Sequence, residues 1–335
     1  MTSIKLITEN GYAASMKNEV EPFLASLRED CYFESFSGGK IHYEKYILPD
    51  AKASVVIAHG FTESAEKFRE MSYYFLKAGC NVFAIDHRGH GKSLRLNNDI
   101  NTVHVDCFDD YIKDLASLVD DYVLPASGEL PLYLYAHSMG GAIAVLYLEK
   151  YSCGKFKKCL LTAPMISAKT AGLPHSVAKA IAAVALAARQ HKNRVILTGE
   201  FNPNRSYENS NSTSRERFDY YHEKRKANDC YKTASPSYKW VWEALRIIPI
   251  MTSREMTDRI KIPVLLTQAE TDGSVNLPPQ NAFIKTLEKG RLIHFPKTRH
   301  EIFGSCDNEM KKYLDTIFDF FELDAELCLD GENLC

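Results

Sequence analysis

The 335-residue sequence has little of what marks membrane-spanning, secreted or nucleic-acid-binding proteins. Its longest apolar run, AIAAVALAA at 180–188, is much shorter than the ~20 residues that a transmembrane helix needs. The first residues, MTSIKLITENGYAAS, have no apolar segment of the secretory-signal kind. A formal net charge of −2 provides no basic face for nucleic acid. We therefore expect a soluble, cytoplasmic protein without a nucleic-acid partner.

Motifs for metals and cofactors are also missing. The nine cysteines include no C-x-x-C pair, and no His/Cys cluster has the spacing of zinc ligands. Scattered cysteines in a cytoplasmic chain indicate reduced thiols. The segment IDHRGHGKSLR at 85–95 carries only G-x-G and predicts a tight turn, in which Asp86 and Arg88 join a buried polar network. The sequence predicts neither a metal nor a cofactor.

What the sequence does contain is a regular alternation of short apolar runs and helical patterns. The apolar runs are 53–60, 81–86, 130–138, 157–164, 262–270 and 290–296, and the helical patterns are 63–78, 107–123, a helix from Met139, 278–288 and 306–322. This alternation predicts an α/β fold, with a mostly parallel sheet covered by helices on both faces. A β-hairpin around Gly38 and Gly39 precedes it. Residues 1–30 are predicted to be a loosely organised or helical lead-in.

The alternation fails between residues 165 and 260. That segment opens with an Ala-rich helix at 174–190 and ends with an aromatic helix at 235–246. The polar stretch between them, at 202–230, is typical of a mobile surface loop. Because the segment is too long for a plain loop, it predicts a mainly helical cap inserted into a core made of 31–164 and 261–322. An acidic tail, 323–335, follows.

Ser138 lies in YAHSMGG, where an apolar run meets a helix. Backbones crowd at a strand-to-helix turn of this kind, and the small residues Ala136 and Gly140 meet that need. The usual pattern has glycine at both places. The serine is therefore a candidate nucleophile, and the alternative is a serine that only caps the helix.

A nucleophilic serine needs a base, and the base needs an orienting acid. In this fold the order along the chain is nucleophile, acid, histidine, which favours His300 in the polar loop KTRHEIF. His294 falls within an apolar strand and is interpreted as a strand histidine. The acid is expected just after the strand 262–270, where Asp272 is preferred and Glu270 is the alternative.

An oxyanion intermediate needs N–H donors that are already in position. The turn after Gly60 presents the N–H of Phe61, and the start of the nucleophile helix presents the N–H of Met139. His59 and Glu63 are interpreted as structural residues that order this turn.

With these residues placed, the chain resembles the α/β-hydrolase superfamily, and within it serine lipases that carry HG-x-x-E-S, DHRGHG-x-S and AHSMGG. It is most similar to bacterial lysophospholipases associated with the inner membrane and to their monoacylglycerol-lipase relatives. Narrower similarities are LTAPM at 161–165, LTGE at 197–200 and SPSYKWVWEAL at 235–245. The resemblance implies a triad of Ser138, Asp272 and His300 that hydrolyses a single-acyl lipid ester through an acyl-enzyme.

The leading hypothesis is therefore a lysophospholipase, and the alternative is a cytosolic carboxylesterase or monoacylglycerol lipase. A binding protein on the same fold, without catalysis, is the hypothesis from a different class. The expected partner is a lipid or ester, with His137, Tyr238, Trp240 and Trp242 as candidate substrate contacts. The cap is also a candidate for peripheral contact with the inner face of the membrane. The sequence makes no prediction of oligomeric state.

Overall fold

The computed structural model describes residues 2–151, 154–196 and 198–328. Within them the strands are β1 (Thr2–Lys5), β2 (Arg28–Glu34), β3 (Lys40–Tyr46), β4 (Ala53–Ala58), β5 (Cys80–Ile85), β6 (Thr102–Val103), β7 (Leu132–His137), β8 (Lys158–Thr162), β9 (Ser235–Pro236), β10 (Val264–Ala269), β11 (Gly290–Phe295) and β12 (Ala325–Cys328). The α-helices are α1 (Tyr12–Ser15), α2 (Glu21–Leu27), α3 (Arg69–Lys77), α4 (Asp109–Leu118), α5 (Leu124–Ser127), α6 (Met139–Tyr151), α7 (His175–Ala187), α8 (Arg215–Ala227), α9 (Tyr238–Met251), α10 (Arg254–Thr257), α11 (Leu277–Ile284) and α12 (Asp307–Phe321). Short π-helical segments, Met16–Val20 and Val119–Val123, join α1 to α2 and α4 to α5.

Eight strands form the central sheet, in the order β11-β10-β8-β7-β4-β5-β3-β2. Strand β3 pairs antiparallel with both β2 and β5, and the other neighbours are parallel. The inner strands β4, β5 and β7 are buried along their whole length, as strands with helices on both faces must be. The predicted α/β fold with a mostly parallel sheet is confirmed.

The two faces of the sheet carry separate apolar clusters. Val56 and Ala58 of β4 pack with α4 and α6, whereas Val55 and Ile57 point to the other face and pack with α3 and α12. Each face therefore has its own helical layer, which leaves the ends of the strands for the site.

The chain termini depart from the expected pattern. The lead-in is helical from Tyr12 to Leu27, in line with one of the two expectations for it. However, β1 pairs in parallel with β12, so that Thr2 lies opposite Ala325 in a second, two-stranded sheet. The first part of the predicted acidic tail is therefore a strand, and 329–335 lie outside the described residues.

The cap segment, 165–260, also differs from its prediction in one respect. The stretch 202–230, expected to be a surface loop, contains α8. Ser214 caps this helix by accepting a hydrogen bond from the N–H of Arg217, and Arg217 is buried in an ion pair with Glu70 of α3. The polar composition reflects charged contacts with the core. The two flanking segments form helices, as predicted. These helices, α7 and α9, pack on each other.

Burial of one carboxyl on α6 gives a prediction about stability. Glu149 is 1% exposed, and within the described residues neither of its carboxyl oxygens has a hydrogen-bond partner. Burial raises the pKa of Glu149 from 4.5 to about 8, against the weaker effect of Arg259. Between these values the folded protein keeps a proton that the unfolded chain has lost, so the free energy of unfolding falls as pH rises.

We expect Glu149→Gln to raise the melting temperature by a few degrees at pH 8.5 and to change it little near pH 5. The glutamine replaces a group that burial disfavours only when it is charged. Thermal melts across this pH range measure the difference, with the exposed Glu129→Gln as the control. An equal effect of Glu149→Gln at both pH values would contradict the assignment.

Candidate active site

Ser138 sits at the turn between β7 and α6 in a backbone conformation that non-glycine residues rarely adopt. Its φ is 51°, in the left-handed region. The next turn of chain passes so close to β4 that a Cβ at Gly140 would lie 2.2 Å from the carbonyl oxygen of Ala58. Glycine is therefore required there, while Ala136 is accommodated in the buried strand. The arrangement holds the serine hydroxyl at the carboxyl end of the sheet.

A chain of hydrogen bonds links the three residues that the sequence predicts as a triad. The Nε2 atom of His300 lies 2.9 Å from Ser138 Oγ, and its Nδ1 atom lies 2.6 Å from Asp272 Oδ2. All three side chains are buried. If the serine O–H donates to Nε2 and Nδ1–H donates to the carboxylate, both imidazole nitrogens have a hydrogen-bond partner.

The carboxyl of Asp272 is held in its charged form. Its second oxygen, Oδ1, accepts hydrogen bonds from the N–H groups of Ser274 at 2.7 Å and Val275 at 2.9 Å. Burial alone would raise the pKa of Asp272, but the hydrogen bond and charge of His300 and these two N–H groups lower it below its usual value. A permanently charged carboxylate is what an imidazole needs as it takes up a proton.

The two alternative residues lie elsewhere. Glu270 is exposed and accepts a hydrogen bond from the N–H of Lys297, without contact to His300 among the interactions of the described residues. His294 is a strand residue, as interpreted, but its side chain is exposed on the edge strand β11. The geometry thus separates Asp272 from Glu270, which sequence spacing left open.

The turn that follows β4 is fixed by one buried carboxylate. Glu63 Oε2 accepts hydrogen bonds from the N–H of Gly60 at 2.6 Å and from His137 Nδ1 at 2.8 Å, and Oε1 lies 2.8 Å from Lys67 Nζ. Burial opposes the charge, but His137 and Lys67 more than offset it and hold the pKa of Glu63 well below its usual value. Phe61 follows Gly60 in this turn and lines the cavity beside Ser138.

His59 forms hydrogen bonds that order the turn after β4, which is the structural role expected of it. The N–H of His87 donates to His59 Nε2 at 3.0 Å, so Nδ1 carries the hydrogen that is donated to the carbonyl of Gly60 at 2.7 Å. Burial lowers the pKa of His59, which keeps the ring neutral. Met139, the second predicted oxyanion donor, is the first residue of α6, and the first N–H groups of a helix have no acceptor within it.

A cavity of about 550 Å³ opens on Ser138 and His300. One side, which we call the apolar wall, consists of small and aromatic residues of α7 and α9, including Ala178, Ala182, Trp240 and Ala244. Another part of the lining, which we call the charged wall, contains Tyr221 and Arg225 of α8 together with Lys67, Arg205 and Glu301. Sequence reasoning missed the charged wall because it placed no helix at α8.

The four candidate substrate contacts fall into two groups. His137, Tyr238 and Trp240 line the cavity. Trp242 lies outside its lining, and the ammonium group of Lys179 lies 5.1 Å from the centroid of its ring. His137 is engaged with Glu63, so it is held as part of the site's framework.

Comparison with known proteins assigns the chain to a family. The sequence profile of the Hydrolase_4 family, described as serine aminopeptidase, S33, matches residues 49–307. The chain belongs to this family. The matched range contains the turn after β4, Ser138, Asp272 and His300. The predicted enzyme class, a serine hydrolase of the α/β-hydrolase superfamily, is confirmed for this Hydrolase_4 member.

Relatives of known name are similar to the Hydrolase_4 member over most of its length in one case and over about half of it in another. Lysophospholipase L2 of Escherichia coli K12 is 29% identical over 321 residues, 93% of each chain. A monoacylglycerol lipase of Mycolicibacterium smegmatis is 31% identical over 160 residues, 47% of this chain and 54% of its own length. The predicted resemblance to lysophospholipases and monoacylglycerol lipases is confirmed.

Solved structures support the fold of this Hydrolase_4 member. A soluble variant of monoglyceride lipase from Saccharomyces cerevisiae has a TM-score of 0.69 at 18% identity, covering 88% of this chain and 94% of that one. A carboxyl esterase from Bacillus coagulans has a TM-score of 0.71 at 20% identity, with 88% and 98% covered. Among the described helices, none has the length and apolar character needed to span a bilayer.

Proposed function

We propose that the chain hydrolyses the carboxylic ester of single-acyl lipids, and that it is a lysophospholipase. The observation that carries the proposal is the Ser138–His300–Asp272 hydrogen-bond chain, which opens on a cavity with one apolar and one charged wall. A single-acyl phospholipid has the same two-sided chemistry. The similarity to lysophospholipase L2 over 93% of the chain supports this choice over a monoacylglycerol lipase, where the match covers 47%.

The mechanism follows from the contacts. His300 Nε2 takes the proton of Ser138 as Oγ attacks the ester carbonyl, and Asp272 stabilises the resulting imidazolium. The N–H groups of Phe61 and Met139 stabilise the tetrahedral oxyanion. His300 then returns the proton to the leaving glycerol oxygen, which leaves an acyl-Ser138 ester. Water attacks this ester with His300 again as the base, and the fatty acid and free serine are released.

The charges of the cavity argue against aminopeptidase activity, the activity in the family's description. An aminopeptidase must hold the ammonium of a peptide N-terminus, which calls for an unpaired carboxylate. The described carboxylates that line the cavity are each within ion-pair distance of a lysine or arginine, as Glu63 and Glu301 are of Lys67. A neutral or anionic head group fits this cavity better.

We expect the protein to hydrolyse a lysophosphatidyl lipid with a higher kcat/KM than a monoacylglycerol, a p-nitrophenyl ester or an aminoacyl-p-nitroanilide. Ser138→Ala and His300→Ala should each lower kcat by about 10⁵–10⁶-fold, and Asp272→Asn by about 10³–10⁴-fold. Steady-state kinetics on this panel, with fluorophosphonate labelling of Ser138, provide the measurement.

His294→Ala and Glu270→Gln are the matched controls, since both side chains are exposed. They should keep activity and melting temperature close to those of the unmodified protein. More than a few per cent of activity in Ser138→Ala, or a severe loss in Glu270→Gln, would contradict the triad. The fastest hydrolysis of the anilide would contradict the lipid assignment.

We also propose that the apolar wall binds the acyl chain. Ala178 and Ala182 of α7 line the cavity, and Ala182 is 1% exposed, so a larger side chain there would project into the space. Each methylene buried against such a wall contributes about 0.8 kcal/mol, or about fourfold in kcat/KM.

In monomeric esters below micelle formation, kcat/KM should rise about fourfold per methylene and level off at the length of the cavity. Ala182→Leu should move that plateau to a shorter chain and leave acetate esters nearly unaffected. Ala180→Leu, on the exposed side of the same helix, is the control. A flat profile from acetate to myristate would overturn the assignment of the wall.

The other face of α7 supports the proposal of membrane contact. Val177, Ile181 and Val184 lie on one helical face and are 42%, 41% and 71% exposed, and Ile196 nearby in the chain is 69% exposed. An exposed apolar face of this kind on a lipid-hydrolysing enzyme fits a shallow position at a bilayer surface. Ile181 also lines the cavity, so the face and the mouth of the cavity are continuous.

Val184→Asp should lower binding to vesicles of phosphatidylethanolamine and phosphatidylglycerol several-fold, because a charge replaces an apolar contact. Co-sedimentation measures the bound fraction. Tyr32→Asp, an exposed apolar residue outside the cap, is the control and should bind as before. Equal binding of Val184→Asp and the unmodified protein would contradict membrane contact through α7.

A further inference from the structure

The charged wall contains an imbalance of charge that the triad does not use. Its carboxylates all have cationic partners: Glu66 pairs with Arg69 and Lys224, and Glu70 pairs with Arg217. Among the described residues that line the cavity, the guanidinium groups of Arg205 and Arg225 have no carboxylate within ion-pair distance. The cationic side chains of the lining without a carboxylate partner among the described residues are therefore these two arginines and Lys169, whose ammonium group donates to the backbone carbonyl of Asp272.

Arg225 is held firmly in place. Its Nε donates to the carbonyl of Tyr231 at 2.9 Å, one terminal nitrogen donates to the carbonyl of Thr233 at 2.6 Å, and its guanidinium lies 4.7 Å from the ring centroid of Phe201. Because these contacts are to neutral groups, they orient the guanidinium group of Arg225 without neutralising its charge. Burial lowers the pKa of Arg225, and the charge of Arg205 acts in the same direction, whereas Tyr221, Glu301 and Glu63 act in the opposite direction. An anion bound between the two guanidinium groups would remove this repulsion.

Arg225 lines the same cavity as Ser138. Tyr221, one helical turn earlier on α8, lies with its hydroxyl 3.4 Å from Ser64 Oγ in the turn after β4. Arg225, Tyr221 and Ser138 line one cavity. The apolar wall is on α7 and α9, so the side of the cavity near Arg225 is left for the part of the substrate beyond the ester.

From this geometry we infer that Arg205 and Arg225 bind the phosphate of the substrate's head group. The inference rests on the proposed function for its substrate, a phosphate-bearing single-acyl lipid. Arginine forks match phosphate oxygens in geometry, and charge-assisted hydrogen bonds of this kind are among the stronger polar contacts. Arg205 and Arg225 are thus specificity-determining residues that distinguish a lysophospholipid from a neutral monoacylglycerol with the same acyl chain.

The test is the ratio of kcat/KM for lysophosphatidylglycerol to that for monoacylglycerol, both with a lauroyl chain. Arg225→Gln and Arg205→Gln should each lower this ratio about 10- to 100-fold, the scale of charge-assisted hydrogen bonds to phosphate. Lys226→Gln, next to Arg225 on α8 and paired with Glu223, is the matched control and should leave the ratio unchanged. An unchanged ratio in both arginine variants would overturn the inference.

Since Arg225 also holds the carbonyls of Tyr231 and Thr233, its removal can disturb the chain there. Arg205, whose guanidinium donates to the carbonyl of Asn209 at 2.8 Å, provides a second variant on a different segment. Arg225→Lys keeps the charge and should lower the ratio less than Arg225→Gln. If the ratio falls only in variants whose melting temperature also falls, the role is structural and the inference is wrong.

Calorimetric titration separates this inference from the proposed function and from a site for free phosphate. Glycerol 3-phosphate should bind Ser138→Ala and bind more weakly after Arg205→Gln. If the protein hydrolyses neither lipid, the proposed function fails, and this titration alone supports or overturns the phosphate site. If inorganic phosphate binds as tightly as glycerol 3-phosphate while the lipid ratio stays unchanged, the site is for free phosphate and the head-group assignment is wrong.

Discussion

The left-handed backbone of Ser138 is the constraint on which the rest of the site depends. A non-glycine residue in that region is unfavourable unless neighbouring contacts hold it. Here its N–H donates to the carbonyl of Thr162 on β8, its own carbonyl accepts from the N–H of Met165, and Gly140 allows contact with β4. Contacts with β8, with the segment after β8 and with β4 therefore hold one torsion angle. As a result, the turn directs the Ser138 hydroxyl away from the sheet, and α6 begins at the next residue.

A second set of contacts ties this turn to the other loops of the site. Lys67 joins Glu63, which holds the turn after β4, to Glu301, which follows His300 in the chain. Glu63 in turn holds His137, whose Nε2 lies 3.4 Å from the carbonyl of His300. Buried ion pairs are weak evidence for stability, but they specify one arrangement, since a misplaced member would leave a buried charge unpaired. We infer that this network fixes the relative positions of Ser138, His300 and the turn after β4.

The central fold and the triad could be predicted because their signals are local. The parallel inner strands are apolar runs, and Ser138, Asp272 and His300 follow β7, β10 and the edge strand β11 in the expected chain order. The choice between Asp272 and Glu270 needed the structure, because two residues of spacing in a turn decide which carboxylate reaches the imidazole. The pairing of β1 with β12 and the ion pair of Arg217 with Glu70 join distant parts of the chain. No local pattern in the sequence predicts contacts of this kind.

The same distinction explains why the charged wall escaped sequence analysis although the apolar wall did not. The Ala-rich and aromatic helices of the cap stand out by composition, whereas α8 looks like solvent-exposed chain until its partners are known. Those partners include Glu70 on α3 and, for Lys224, Glu66 in the segment after β4. The ion pairs fasten α8 to the core, while α7 packs chiefly on α9 and leaves an apolar face exposed. The segment 165–260 thus has one helix, α8, that ion pairs fix to the core, and another, α7, with an exposed apolar face. The charged wall is accordingly preorganised, and we expect any adjustment of the cavity's shape to come from α7.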